Sequence, residues 1–167
     1  MRRPLLILLF PIAAALAACG TRSVSTRPAA PSSEPVPRQQ PPTLAAEQRR
    51  FSALFDGTPV VFAMQPDGSL RATVPRRYCF DAGAIKVQPP LAAVLDRLAK
   101  SQAPTASRLR ISAPSDPQQR GLALARDRAL SVRDYLMGRG IAAPRLQANG
   151  ATQTDEVEIV VIGDDPR

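Results

Sequence analysis

The stretch Ser112–Leu136, SAPSDPQQRGLALARDRALSVRDYL, sets one acid, Asp116, in an apparent loop ahead of a helix-like run with arginines at 120, 126, 128 and 133. A carboxylate and a guanidinium that converge can grip a charged ligand, because charge-assisted hydrogen bonds are strong and a forked arginine fixes geometry. The same groups can instead pair with each other, or stand apart in solvent as charged surface residues usually do. Few other chemistries are provided for. The sequence contains no histidine, which removes Ser-His-Asp and Cys-His catalysis and the commonest neutral metal ligand. Its two cysteines, Cys19 and Cys79, lie too far apart for a zinc pattern. No glycine-rich phosphate loop, catalytic acid pair or nucleophile motif is present. The chain is therefore expected not to be an enzyme, and to need neither metal nor cofactor.

Composition points to where such a grip would work. Lys and Arg number 22 against 14 Asp and Glu, a net charge of +8 that suits an anionic polymer or a lipid surface. The basic residues are scattered, with few aromatics beside them, so nucleic acid is not expected as a partner. The opening MRRPLLILLFPIAAALAACG has two arginines, a short uncharged apolar run and small residues before Cys19. That is the pattern of a secretory signal, and the run is short for a membrane span. Leu16-Ala17-Ala18-Cys19 resembles the lipobox of bacterial lipoproteins. The resemblance implies cleavage after residue 18, acylation of Cys19, and anchoring in the outer membrane facing the periplasm, since no Asp follows the cysteine. Several acyl chains hold firmly where one would be marginal. Residues 19–42 carry prolines at 28, 31, 35, 37, 41 and 42 and read as an extended tether. Cys79, left without a partner, is expected to be buried and inert, in a strand.

The elements that must position the charged pair begin at Thr43. TLAAEQRRFSALFDG predicts a helix with Thr43 as N-cap and Gly57 as stop. TPVVFAMQ and SLRATVP around the turn at 66–68 predict a hairpin, and RRYCFDAGAIKVQ a strand running into a loop. PPLAAVLDRLAK predicts a helix with Leu91, Val94, Leu95 and Leu98 on one face. SRLRIS is a strand, a helix follows to Gly138 or Gly140, and RLQANG and EVEIVVI are strands. This order predicts an α/β two-layer sandwich, a mixed sheet with helices on one face. Tyr78 and Tyr135 are expected to cap its core. The remaining helix arginines are expected on its solvated face.

LRATVPRRYCFDAGAIKVQPPLAAVLDRLA is similar to the opening of the OmpA-like C-terminal domain. Downstream, Leu124-Ala125-Arg126-Asp127-Arg128-Ala129 resembles that family's Leu-Ser-x-x-Arg-Ala, and Val132, Leu136, Gly140, Ile141, Arg145-Leu146 and Val157-Glu158-Ile159 follow at its spacing. The resemblance spans residues 71–163, with 43–70 as a helix and hairpin extension. It implies a βαβαβ domain that binds peptidoglycan through the diaminopimelate residue of the stem peptide, whose free end carries an ammonium and a carboxylate on one carbon. Residue by residue, it places Asp116 against the ammonium and Arg128 against the carboxylate. A non-covalent link between outer membrane and cell wall is the implied function.

The chain departs from the family at several points. Ala113-Pro114-Ser115-Asp116 replaces Gly-His-Thr-Asp, Gly121 replaces an Asn, and Thr154-Asp155-Glu156 replaces Asn-Arg-Arg. Two acids near the pocket would repel a ligand carboxylate by about 1 kcal/mol per close pair. A second expectation therefore stands beside the first: a scaffold subunit of an envelope secretion or conjugation complex whose OmpA-like domain has lost wall binding.

Overall fold

In a computed structural model, the structure describes residues 42–117, 121–152 and 154–164. The expected lipidation site and tether lie outside them, as does Arg120. The described chain runs α1 (Leu44–Leu54), β1 (Val61–Met64), β2 (Leu70–Pro75), α2 (Pro89–Gln102), β3 (Arg108–Ala113), α3 (Leu122–Gly138), β4 (Leu146–Ala151) and β5 (Glu156–Ile162). No helix among these residues is long and apolar enough to cross a membrane.

Burial alternates along β2 and β5, so one face of each strand is apolar and covered and the other open. Leu70, Ala72 and Val74 of β2 pair across to Val161, Ile159 and Val157 of β5. The five strands lie in the order β1-β2-β5-β3-β4. β5 is antiparallel to both neighbours, while β3 and β4 are parallel and joined by α3. The α/β mixed sheet with helices on one face is thus as the residue pattern predicts. The C-terminal strand, however, inserts at the centre rather than adding to an edge.

Local chemistry accounts for the helix ends. Thr43 Oγ1 accepts the N–H of Ala46 at 3.3 Å and caps α1. α3 closes with Gly140 at φ +94°, the Gly140 N–H donating to Met137 and the Ile141 N–H to Leu136. That is a Schellman end, which requires the left-handed conformation glycine tolerates. Phe51 of α1 stacks on Phe62 of β1 with ring centroids 5.1 Å apart, so the extension joins the same core as the rest. Tyr78 and Tyr135 pack partly buried against that core.

One expected strand is not there. β2 ends at Pro75, and Arg76–Tyr78 form a 3-10 turn in which the Arg76 carbonyl collects the N–H groups of Cys79 and Phe80. The Arg76 N–H itself goes to the Asp155 carbonyl, which ends the ladder with β5. Cys79 is fully buried after this turn, not in a strand, and burial pushes its thiol up to about 12. That is an unreactive thiol.

A buried acid unremarked in the sequence docks α1. Glu47, 2% exposed, accepts hydrogen bonds from Ser101 Oγ and Gln102 Nε2 at the end of α2. Gln102 in turn accepts from Ser107 Oγ at 2.6 Å, and its carbonyl accepts from Arg145 Nη2 at 2.7 Å. Glu47→Ala leaves two buried donors short of an acceptor. A loss of about 1–3 kcal/mol is expected, read as a lower urea midpoint with an unchanged slope.

Candidate functional site

The apolar stripe of α3 consists of Ala125, Ala129, Val132 and Leu136, and Arg128 stands inside that stripe. A charged side chain at a core position must find partners where it lands. Arg128 has no exposed surface and finds them in two loops. Its Nε donates to the Ala84 carbonyl at 2.9 Å, Nη1 to the Pro114 carbonyl at 3.0 Å and Nη2 to the Asp81 carbonyl at 3.1 Å. Nη2 also lies 2.8 Å from Asp116 Oδ1. The guanidinium stacks over the Phe80 ring, 4.9 Å from its centroid.

Two features set the loops for this contact. Between Asp81 and Ala84 a turn closes with the Ala84 N–H on the Asp81 carbonyl, and Gly83 sits at φ +68°. This left-handed glycine aims its N–H at Asp116 Oδ2, 2.5 Å away. The second feature is a register shift in the β3–β4 ladder, where the consecutive Ile111 and Ser112 face Ala148 and Gly150 and Asn149 of β4 bulges out, just before the segment that carries Asp116.

The structure therefore brings together the two residues singled out in the sequence, Asp116 and Arg128. It brings them into direct contact, with no ligand-sized space between them. Arg128 spends its donors on backbone carbonyls and on Asp116, so its fork does not face an incoming carboxylate. Burial works to raise the Asp116 pKa, but the Gly83 N–H, the Arg128 guanidinium and the Arg76 charge outweigh it and hold the carboxyl below its ordinary value.

Sequence reasoning missed a second guanidinium at this acid. Arg76 Nη1 lies 3.4 Å from Asp116 Oδ1, and Arg76 Nε donates to Asp155 Oδ1 at 2.6 Å. The signal was available in the Arg76-Arg77 pair at the end of β2, which the strand expectation obscured. The acidic replacement at 154–156 also acts differently from expectation. Asp155 neutralises Arg76, while Glu156 is the first residue of β5, paired across from Pro75.

Magnitudes separate the two ion pairs. Removing one partner of a buried pair typically costs 3–5 kcal/mol, roughly what a fully enclosed Arg128 implies. The Arg76–Asp155 pair, with side chains 20% and 63% exposed, belongs to the solvent-facing class worth about 0–1 kcal/mol. Of the other arginines of α3, Arg126 is exposed, and Arg133 pairs with Asp134 at 2.7 Å. They lie outside this cluster. No group of acids and cysteines suited to a metal ion occurs among the described residues.

Comparison with known proteins bears on the fold. No family model and no curated protein matches the chain. Solved structures do. A putative MotB-like protein from Desulfovibrio vulgaris aligns at TM-score 0.55 and 17% identity over 72% of this chain and 92% of that one. The cell wall anchor of the T6SS from Pseudomonas aeruginosa aligns at TM-score 0.55 and 17% identity, over 75% and 100%. The periplasmic domain of Helicobacter pylori MotB (residues 97–256) aligns at TM-score 0.52 and 19% identity, over 63% and 85%. The fold is that of OmpA-like domains.

Two outcomes follow from the buried pair. Arg128→Leu is expected to lower stability by about 3–5 kcal/mol in urea unfolding, because it strands Asp116 and three carbonyls. The pH dependence has a definite sign. The Asp116 carboxyl is more acidic folded than unfolded, so its stabilisation is full above about pH 4 and is lost as pH falls through the depressed folded value. Asp116→Asn is expected to flatten that acid limb in a pH series of thermal unfolding.

Proposed function

We propose that the chain is a lipoprotein of the outer membrane, acylated at Cys19, whose OmpA-like domain holds peptidoglycan non-covalently through diaminopimelate. The observation that carries this reading is the Asp116 carboxylate. It is kept ionised by Arg128 and Gly83, fixed in position, and nearly buried, with 6% of the side chain exposed beside the partly exposed Arg76. A rigid, ionised acid reached by displacing a weakly held neighbour can receive an ammonium group. The basic chain as a whole suits acidic wall material. The fold adds support, since one structure that shares it is described as a cell wall anchor. The function is binding, not catalysis.

A second reading has one observation in its favour. Arg128 is enclosed by its own chain, which also fits a domain that keeps the fold and serves as a scaffold subunit of an envelope complex. Sedimentation separates the two. The full chain in detergent is expected to pellet with diaminopimelate-type sacculi, and a soluble diaminopimelate muropeptide to release it. Asp116→Asn is expected to weaken pelleting roughly tenfold or more, the loss of one charge-assisted bond. A chain that stays in the supernatant, or pellets equally well as Asp116→Asn, favours the scaffold.

A further inference from the structure

The two guanidiniums at Asp116 are not equivalent, and only one is open to exchange. Arg128 is completely enclosed, and its Nε and both Nη atoms have partners. Arg76 is partly exposed, its Nε is held by the exposed Asp155, and its Nη1 makes only the long 3.4 Å contact with Asp116. Arg76 Nη2 makes no hydrogen bond within the described residues. Asp155 thus occupies one side of the Arg76 fork as an internal carboxylate.

We propose that Arg76, not Arg128, is the residue that receives the ligand carboxylate, and that Asp155 is its built-in competitor. This rests on the wall-binding reading above and names the specificity determinant within it. An amino acid end carries ammonium and carboxylate on one carbon. Its ammonium enters at Asp116 Oδ1, where the 3.4 Å contact is the one most easily given up. Its carboxylate takes the place of Asp155 on the Arg76 fork, a bidentate geometry that a single Asp155 oxygen does not satisfy. Arg128 stays in place throughout and positions Asp116. The exchange replaces the exposed Arg76–Asp155 pair and the long Arg76–Asp116 contact with two charged contacts to the ligand, and leaves the contacts of Arg128 as they are.

The arrangement makes Arg76 the reader of the carboxylate. A diaminopimelate stem peptide presents both charges. A lysine stem peptide presents the ammonium alone, so it uses Asp116 but gains nothing from Arg76.

Calorimetric titration of the full chain in detergent with soluble muropeptides of the two types tests this. The unaltered chain is expected to prefer the diaminopimelate muropeptide by about tenfold. Asp155→Asn frees Arg76 and is expected to tighten that muropeptide by about fivefold, with little change for the lysine type. Arg76→Gln is expected to erase the preference, leaving the two muropeptides equally weak. If the chain prefers diaminopimelate and Asp116→Asn destroys binding, yet Arg76→Gln keeps the preference, the role of Arg76 is overturned while wall binding stands. If the chain binds neither muropeptide, both are overturned.

Discussion

A guanidinium with no access to water is the constraint around which this domain is arranged. Arg128 sits where a helix with a continuous apolar stripe would place a leucine. Its charge is tolerable there because the carbonyls of Asp81, Ala84 and Pro114 and the Asp116 carboxylate surround it. Those groups come from the loop after the 3-10 turn and from the segment after β3. The side chain therefore fastens two loops to α3, and it fixes Asp116 relative to Gly83. Buried charges with complete partners define one arrangement, because any other leaves several groups unpaired.

Around that fixed centre lies a looser electrostatic layer. Arg76 and Asp155 meet at the surface, across the junction of β2 and β5, where solvent screens them and the side chains can reorient. The division of labour is physical. The buried pair holds the acid, and the exposed pair can be exchanged without disturbing the fold. In the proposed account, the strong interaction supplies preorganisation and the weak one supplies recognition. The acidic residue at 155 then acts as a regulator of the site's own anion affinity.

Much of the fold was legible in the residues. The Thr43 cap, the glycine end of α3, the apolar face of α2 and the alternation in β5 each follow from short-range rules and reappear in the structure. Asp116 and Arg128 were singled out as a pair by the resemblance to the OmpA-like domain, which places one on the loop after a strand and the other on the next helix. Their direct contact was not, since loop conformation decides whether two charges flank a space or close on each other. The 3-10 turn at Arg76–Tyr78 was hidden by β-favouring neighbours, and it takes the long-range bond to Asp155 to end β2 where it does. Glu47 was invisible for a related reason. An acid in a helix's first turn looks solvated until α2 arrives with Ser101 and Gln102. The central place of β5 depends on pairing with both β2 and β3, which no local pattern encodes.

The most direct measurement is nitrogen-15 NMR of the full chain in detergent, titrated with a diaminopimelate muropeptide. The account expects the Gly83 amide and the Arg76 Nε–H to shift together and saturably, because both groups border the Asp116 carboxylate. The Arg128 Nε–H is expected to hold its position. Shifts confined to the open face of the sheet, or an Arg128 signal that moves while Gly83 and Arg76 stay still, would contradict it.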